Sequence, residues 1–183
     1  GKGTDLYFDR HDGQAVTTED FVQALEDASG LDLSQFEKTW YNQAGTPVLD
    51  ITDTYDADSK TYKLTVKQST PATPGQPTKE PFHIPIRIGL LDANGNDLPL
   101  ELDASQSGRL TGGDILNLKE VEFTFVFNNI PEKPIPSILR NWSAPVKVNY
   151  SYDRDQLTFL MSNDNDGFNR WEAAQKLGVC LLY

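Results

Sequence analysis

The chain has 183 residues, of which 38% are hydrophobic and 23% are charged, and this composition is typical of a globular protein. The net charge of −11 argues against nucleic acid or an anionic membrane as a partner, because both require clustered lysine and arginine. The single cysteine, Cys180, excludes an internal disulfide, and no run has the apolar length of a membrane span or the order of a signal peptide, so we expect a cytoplasmic location.

Residues 1–45 predict a pair of short helices. The first begins near Thr17, where a hydroxyl can accept an unpaired N–H, and it ends at Gly30. The second begins at Asp32 or Ser34 and stops at Gly45. Apolar residues recur at helical spacing in both helices: Phe21, Val22, Leu25 and Ala28 in the first, and Leu33, Phe36, Trp40 and Tyr41 in the second. Helices of this length are unstable alone, so we expect them to dock against a partner.

Residues 46–149 predict an all-β domain, because apolar and polar residues alternate between turn signals. Pro85 lies inside one alternating run and indicates an edge strand or a bulge. Asn94-Gly95 is a hairpin signal. Val121 to Phe127 is the clearest strand, with Val121, Phe123, Phe125 and Phe127 on the core face. The other strands are predicted over Val48–Thr52, Tyr62–Val66, Ile84–Leu90, Leu110–Leu118 and Val146–Tyr150.

Two proline-rich stretches in this domain, Pro71 to Pro81 and Pro131 to Pro136, predict extended connections rather than strands. Seven or eight short strands in such a length are typical of a β-sandwich. The predicted fold is mainly β: an Ig-like antiparallel β-sandwich, preceded by a helical pair and followed by two helices.

Residues 150–183 predict the two following helices. Asp153 caps the first, which carries Leu157, Phe159 and Leu160, and a polar loop follows from Asn163 to Gly167. The second has an apolar face formed by Phe168, Trp171, Ala174 and Leu177. The apolar end, Val179 to Tyr183, indicates a core that continues beyond the chain.

Metal ligation finds little support in the sequence. A zinc site needs three or four grouped ligands, and the two histidines, His11 and His83, lie in a turn and a strand without a His-Glu-x-x-His motif. The run from Asp164 to Gly167 fails the calcium-loop pattern, because serine and alanine occupy the first and twelfth positions. The acids Asp53, Asp56 and Asp58 could bind a cation, but we interpret them as an acidic hairpin turn.

Other catalytic motifs are also missing from the sequence. Gly112-Gly113 lacks the Lys-Ser/Thr of a phosphate loop, and no Gly-x-Ser-x-Gly elbow occurs. Cys180 lies in an apolar tail that does not favour a thiolate. The sequence therefore predicts no catalytic, cofactor-binding or metal-binding residue.

Several segments of the chain resemble segments of a known protein family, and they follow one another in the same order as in that family. "LYFDRHDGQAVTTEDFVQALEDASGLDLSQFEKTWYNQAGTPVL" resembles the end of the catalytic domain of bacterial aminopeptidase N, the alanyl aminopeptidases of the thermolysin-like zinc peptidases. "STPATPGQPTKEPFHIPIRIGLLD" and "FTFVFNNI" resemble the β-sandwich that follows it. "SAPVKVNYSYDRDQLTFLMSNDNDGFNRWEAAQKL" resembles the end of that sandwich and the start of the C-terminal helical domain.

The resemblance implies a parent enzyme that removes N-terminal residues from peptides with a zinc-bound water. Its domains would be the last catalytic helices in residues 1–45, the sandwich in residues 46–149 and the first helices of the C-terminal domain in residues 150–183. In the family, His-Glu-x-x-His with a downstream Glu binds zinc, and Gly-x-Met-Glu-Asn binds the substrate amine. Neither motif is present, so no catalytic or zinc-binding role transfers to this chain, and the match is weaker over Gly178 to Tyr183.

The resemblance favours a non-catalytic structural segment whose partners are the catalytic and helical domains of the same parent chain. An alternative is an independent β-sandwich module that binds peptide or carbohydrate through exposed aromatic residues, the candidates being Tyr55, Tyr62, Trp142 and Tyr152. A third reading is a hydrolase whose triad is assembled only in space, and it requires turnover that survives a chelator.

Overall fold

A computed structural model of the chain describes residues 32–140, 143–144, 146–164, 167, 170 and 173–176. Several predictions fall outside these residues: the first helix from Thr17 to Gly30, the roles of His11, Trp142 and Cys180, and the helical face at Phe168, Trp171 and Leu177.

The described residues contain two helices and eight strands, and we number each type in chain order. Helix α1 is Ser34–Asn42 and helix α2 is Arg154–Asn163. A short 3-10 helix spans Ala104–Arg109. The strands are β1 Val48–Asp56, β2 Thr61–Ser69, β3 Ile84–Leu91, β4 Leu110–Thr111, β5 Ile115–Leu118, β6 Glu122–Phe127, β7 Ile135–Ile138 and β8 Lys147–Asn149.

The strands form two four-stranded sheets, and this arrangement confirms the predicted sandwich. The first sheet has the order β6-β2-β1-β8 and the second the order β4-β5-β3-β7. Every pairing is antiparallel except that of β1 with β8, which run parallel over three residue pairs. Inward side chains of both sheets form one buried cluster that includes Leu64, Phe125, Ile86 and Leu116.

Strand β3 lies inside its sheet, although Pro85 had indicated an edge strand. Its first half pairs with β5 over Ile84 to Arg87, and its second half pairs with β7 over Ile88 to Leu91. Pro85 therefore lies in the half that has a strand on one side only. The Arg87 N–H, which points the same way as position 85, donates to Ser143 Oγ over 2.9 Å. The side of β3 on which Pro85 lacks an N–H therefore faces a loop, so the proline removes no hydrogen bond between strands.

Strand β7 lies in a stretch that was predicted to be an extended connection, and that prediction was wrong over Ile135–Ile138. Pro136 is opposite Leu90 in the register, and its carbonyl accepts a hydrogen bond from Tyr152 Oη rather than from β3. Because this side of β7 is the edge of the sheet, proline removes no hydrogen bond between strands.

Two further details differ from the sequence interpretation. The predicted strand from Leu110 to Leu118 is the short hairpin β4–β5, which turns at Gly112 and Gly113, both with positive φ angles of 61° and 84°. On β6, Phe125 and Phe127 are fully buried as predicted, but Val121 precedes the strand and is 51% exposed.

The two helices contact opposite ends of β3. Helix α1 packs near Phe82 and His83, which directly precede the strand. Helix α2 packs against Leu91, the last residue of the strand. Strand β3 therefore separates the two contacts.

Candidate interdomain contact sites

The structure has two contact regions that join a helix to the sandwich. We call the first the N-terminal junction: helix α1 with residues 42–44, against residues 73–83 and Lys119. We call the second the C-terminal junction: helix α2 with residues 167, 170 and 173–176, against β7, residues 91–97 and Arg140. Both are built from buried or hydrogen-bonded side chains, as the following contacts show.

Aromatic rings form the centre of the N-terminal junction. The Trp40 ring lies 4.7 Å from that of Phe82 in an edge-on arrangement, and Phe36 meets His83 at 5.9 Å with an interplanar angle of 90°. Trp40 Nε1 donates to the carbonyl of His83 over 2.8 Å. The apolar face predicted for this helix is therefore confirmed as its docking face.

Glutamine side chains surround these rings and bind the backbone of the facing segment. Gln35 Nε2 donates to the carbonyls of Pro81 and Lys119, over 3.1 Å and 2.9 Å. Gln43 makes two hydrogen bonds to Glu80, accepting from its N–H over 2.6 Å and donating to its carbonyl over 3.0 Å. A side-chain amide therefore pairs with a peptide group as a neighbouring strand would.

Gln76 forms the matching contact from the sandwich side. Its Oε1 accepts from the N–H of Ala44 over 2.8 Å, and its Nε2 donates to the carbonyl of Asn42 over 2.6 Å. Lys79 Nζ also donates to the Ala44 carbonyl and to Thr73 Oγ1. These bonds satisfy carbonyl and amide groups at the end of α1, where helical partners are missing.

His83 is buried beneath α1 in a neutral environment. Asn117 donates through Nδ2 to Thr111 Oγ1 and to the carbonyl of Arg109, so its Oδ1 accepts from His83 Nε2 over 2.8 Å. His83 Nδ1 is buried with no hydrogen-bond partner among the described residues. Burial lowers the pKa of His83 below its ordinary value of 6.5. The imidazole of His83 is therefore bound within the fold, between Asn117 and the rings of α1.

A small apolar core lies in the C-terminal junction, separate from the core of the sandwich. Its buried members are Leu91, Leu157, Leu160 and Ala173. The partly buried residues packed around them are Ile135, Tyr152 and Phe159. The helix cap predicted at Asp153 is confirmed, and the structure adds a capping box in which Gln156 is the second member, so α2 begins immediately beyond the sandwich.

Arg140 forms a charged cluster above this small core. Its Nη1 and Nη2 donate to the two carboxylate oxygens of Asp97 over 3.0 Å and 2.9 Å, and its Nε donates to Ser137 Oγ over 2.9 Å. Nη2 also lies 3.4 Å from Asp164 Oδ1, and Ser137 Oγ donates to Asp164 Oδ2. The side chain of Asp164 is fully buried and that of Arg140 is 10% exposed.

Two glycines allow the close approach in this region. A Cβ atom at Gly89 would lie 2.1 Å from Arg140 Cζ, so the guanidinium rests directly on the backbone of β3. A Cβ atom at Gly95 would lie 2.9 Å from the side chain of Asn163, the last residue of α2, and Gly95 has a φ angle of +82°. Any side chain at either position would separate α2 or Arg140 from the sandwich.

The acids considered as cation ligands do not converge on one point. Asp53 Oδ2 accepts from the hydroxyls of Tyr62 and Tyr150 over 2.6 Å and 2.7 Å, and burial raises the pKa of both tyrosines, which keeps them as donors. Asp56 instead accepts from the N–H of Asp58 within the turn. In the described part of the chain, no three His, Cys, Asp or Glu residues form a metal-binding group.

The three tyrosines considered for ligand binding, Tyr55, Tyr62 and Tyr152, are engaged within the fold. Tyr55 Oη donates to the carbonyl of Ile130, and Tyr152 Oη donates to that of Pro136. Tyr62 is fully buried.

Asp164, the first residue of the calcium-like run, is committed to the Arg140 cluster. In the described ranges, no helix is both long and apolar enough to cross a membrane.

Sequence reasoning missed the Arg140 cluster and the glutamine contacts. Arg140 and Asp97 are separated by 43 positions, and no local pattern links them. The one sequence feature that could have indicated the C-terminal junction is Gly95, because a glycine allows another element to approach closely. We had interpreted Gly95 only as part of a hairpin turn. Glutamine has no distinctive spacing, so its pairing with the backbone appears only in three dimensions.

Two family profiles match the chain. The family described as a domain of unknown function with an Ig-like fold, DUF3458, matches residues 45–151. A domain of unknown function with ARM repeats, DUF3458_C, matches residues 154–183.

Similar curated proteins are aminopeptidases. Aminopeptidase N of Escherichia coli is 48% identical over 96% of this chain, and that of Caulobacter vibrioides is 45% identical over 99%. A crystal structure of Legionella pneumophila aminopeptidase A in complex with aspartic acid aligns with 96% of the chain and 18% of its own, with a TM-score of 0.69 and 35% identity. The chain spans about a fifth of these curated relatives, 20% of each. Because the first profile covers more than half of the 183 residues, the chain belongs to the Ig-like domain family DUF3458.

Proposed function

We propose that this chain is a non-catalytic structural segment of a zinc-dependent aminopeptidase that removes N-terminal residues from peptides. In this proposal, residues 1–45 end the catalytic domain, residues 46–149 form the connecting sandwich, and residues 150–183 begin the C-terminal helical domain. The similarity to aminopeptidase N over 96% of the chain supports the parentage. The observation that carries the structural role is the docking of a helix at each end of β3.

The sandwich can act as a spacer because both junctions are attached to the same strand. Trp40 is bonded to His83, immediately before β3, and α2 packs on Leu91 at the other end. The strand has eight residues, which corresponds to roughly 25 Å at the usual rise per residue. Each half of β3 is bonded to one neighbouring strand, the first half to β5 and the second to β7, so the strand is held along its whole length and keeps the two helices at a fixed separation.

The described residues do not fit a zinc ion, so the proposal assigns the metal to another part of the parent. The histidine that the structure describes is committed to Asn117, and Asp53 and Asp164 are committed to tyrosines and to Arg140. The partners proposed for this chain are the catalytic and helical domains, and peptides are substrates of the parent only. The single cysteine and the acidic balance support a cytoplasmic location without nucleic-acid binding.

The test compares the 183-residue chain with the longer protein that contains it. Both are assayed for hydrolysis of alanyl-p-nitroanilide, and their zinc is measured by mass spectrometry after dialysis. We expect the longer protein to hold zinc and turn over, and the isolated chain to do neither. Turnover by the isolated chain, or one tightly bound zinc per chain, would contradict the proposal. Saturable binding on a peptide or glycan array would instead favour the independent binding module.

A further inference from the structure

The Arg140 cluster joins three separate segments of the chain, one of which is the end of α2. Ser137 comes from β7, Asp97 from the turn after β3, and Asp164 directly follows α2. The backbone N–H of Asp164 donates to the carbonyl of Leu160 over 3.0 Å, so its carboxylate moves with the helix. Any rotation of α2 on the sandwich would therefore break contacts to Arg140.

Asp164 also links α2 to the helical residues that follow. Arg170 Nη1 donates to the backbone carbonyl of Asp164 over 3.0 Å, and residues 173–176 are helical. The side chain of Asp164 thus faces the sandwich while its carbonyl binds the next helical segment. Its position can set the direction of both.

Such a cluster contributes more to the orientation of α2 than to the free energy of folding. Removing charges from water is costly, and a buried ion pair often contributes little net free energy compared with an apolar replacement. Its geometry is nevertheless strict, because two parallel hydrogen bonds to Asp97 fix the planar guanidinium of Arg140, and this guanidinium and Ser137 then present donors to Asp164 from fixed positions. The neighbouring apolar contacts of Leu157 and Leu160 have no such directional preference. Gly89 and Gly95 leave the space that this single arrangement requires.

We propose that the Arg140 cluster is an orientation-determining contact, which selects one angle at which α2 and the helical segment after it leave the sandwich. The small apolar core holds α2 against the sandwich, whereas Arg140, Asp97 and Asp164 determine its angle. The inference concerns this chain alone and does not depend on the proposed function.

The test measures the angle separately from stability. Cys180 is replaced by serine, and spin labels are attached to Lys63→Cys on β2 and to Ser162→Cys on α2, both exposed positions. Pulsed electron resonance then gives the distance distribution between the labels in the full 183-residue chain. We expect one narrow label-to-label distance in the labelled chain that carries no further substitution, which we call the parent chain. In Arg140→Met we expect a broad or shifted distance distribution instead.

Two further variants address the case in which Arg140→Met fails to fold. Asp97→Asn weakens the paired hydrogen bonds at a side chain that is 44% exposed, and should broaden the distribution without unfolding. The triple variant Asp97→Leu, Arg140→Met, Asp164→Leu replaces the charges by apolar groups, so its melting temperature should stay near that of the parent while the single distance is lost.

The control is Arg109→Met, which removes another paired arginine–carboxylate contact, with Glu120, on the β5 side of the sandwich. It should leave the distance unchanged. The proposal is wrong if Arg140→Met and the triple variant keep the parent distance, whatever their melting temperatures. Because no peptidase activity is measured, this outcome is independent of the proposed function.

Discussion

At the scale of single residues, Gln106 covers an exposed strand edge. Strand β6 ends the first sheet, and only its C-terminal end is paired on the outer side, where Asp103 N–H donates to the carbonyl of Val126 and Leu102 forms a bridge with Phe127. Gln106 Oε1 accepts from the N–H of Val126 over 2.9 Å, and its Nε2 donates to the carbonyl of Thr124 over 2.8 Å. The side chain thus occupies the place where a strand of another molecule could add.

Replacing Gln106 by alanine should expose this edge and promote self-association. Two backbone groups lose their partners, so we also expect the free energy of unfolding to fall by about 1–2 kcal/mol. Sedimentation velocity across a concentration series measures the association, and Ser107→Ala, an exposed neighbour, is the matched control. Monomeric behaviour of Gln106→Ala at every concentration would show that the edge is protected by other means.

His83 should make the stability of the chain fall in weak acid. Burial holds its folded-state pKa below 6.5, so between the two pKa values the unfolded chain binds more protons than the folded chain. Stability therefore rises with pH, and it is lost as the pH falls below the unfolded pKa of about 6.5. Lys119 and Arg109 oppose the charged imidazolium further, whereas Asp32 favours it weakly.

The variant His83→Gln isolates this contribution, because glutamine can still donate to Asn117 without titrating. Urea unfolding at about pH 7.5 and about pH 5.5 gives the free energy of unfolding at each pH. This free energy should decrease less between the two pH values in the variant than in the unsubstituted chain. Most carboxylates remain ionised over this window, so they contribute little to the difference. An equal decrease in both proteins would mean that His83 does not titrate on unfolding in this range.

At the scale of elements, α1 should behave as a docked unit whose attachment depends on Trp40. Trp40→Phe retains an aromatic ring beside Phe82 but removes the hydrogen bond to His83, and should cost about 1 kcal/mol. Trp40→Ala also removes the ring and should cost about 3–5 kcal/mol. Hydrogen exchange should accelerate at the amides of α1 in both variants, more strongly in the second.

The β1–β2 pair supplies the internal control for this experiment. Its amides are bonded within the first sheet, so their exchange should remain close to that of the parent in Trp40→Phe. Equal acceleration in α1 and in β1–β2 would contradict local undocking. It would indicate that α1 and the sandwich unfold together.

Elements with a strong local pattern were predictable from sequence, and those fixed by distant partners were not. The alternation at Tyr62, Leu64 and Val66 indicates a half-buried strand, and Asp153 indicates a helix start. Strand β7 was missed because Pro136 normally ends a strand. Its position on a sheet edge, which makes proline acceptable, is a property of the assembled fold.

The same distinction applies to the two junctions. The docking face of α1 was predictable, since Phe36 and Trp40 recur at helical spacing and are apolar. The Arg140 cluster was not, because its partners lie 43 and 24 positions away and charged residues are usually exposed. Burial of Arg140 depends on the absence of a side chain at Gly89, and only the register of β3 with β7 brings the two together.

At the scale of the whole molecule, the two junctions differ in how their charges are placed: the Lys38–Glu80 ion pair of the N-terminal junction is exposed, whereas the Arg140–Asp164 pair of the C-terminal junction is buried. Glutamine amides and aromatic rings hold α1, whereas a buried arginine and carboxylates orient α2. The two regions share β3 but have no residue in common. If the sandwich is a rigid spacer, a change at one end should not alter the energetics at the other.

We therefore expect the effects of Trp40→Phe and Asp97→Asn on the free energy of unfolding to be additive. The sites lie at opposite ends of β3, roughly 25 Å apart, and independent sites at such distances usually add within about 0.5 kcal/mol. Urea unfolding of the parent, both single variants and the double variant closes the cycle. A coupling free energy well above that limit would mean that the sandwich transmits a change from one helix to the other. Additivity would instead restrict its role to holding the two helices at a fixed distance and angle.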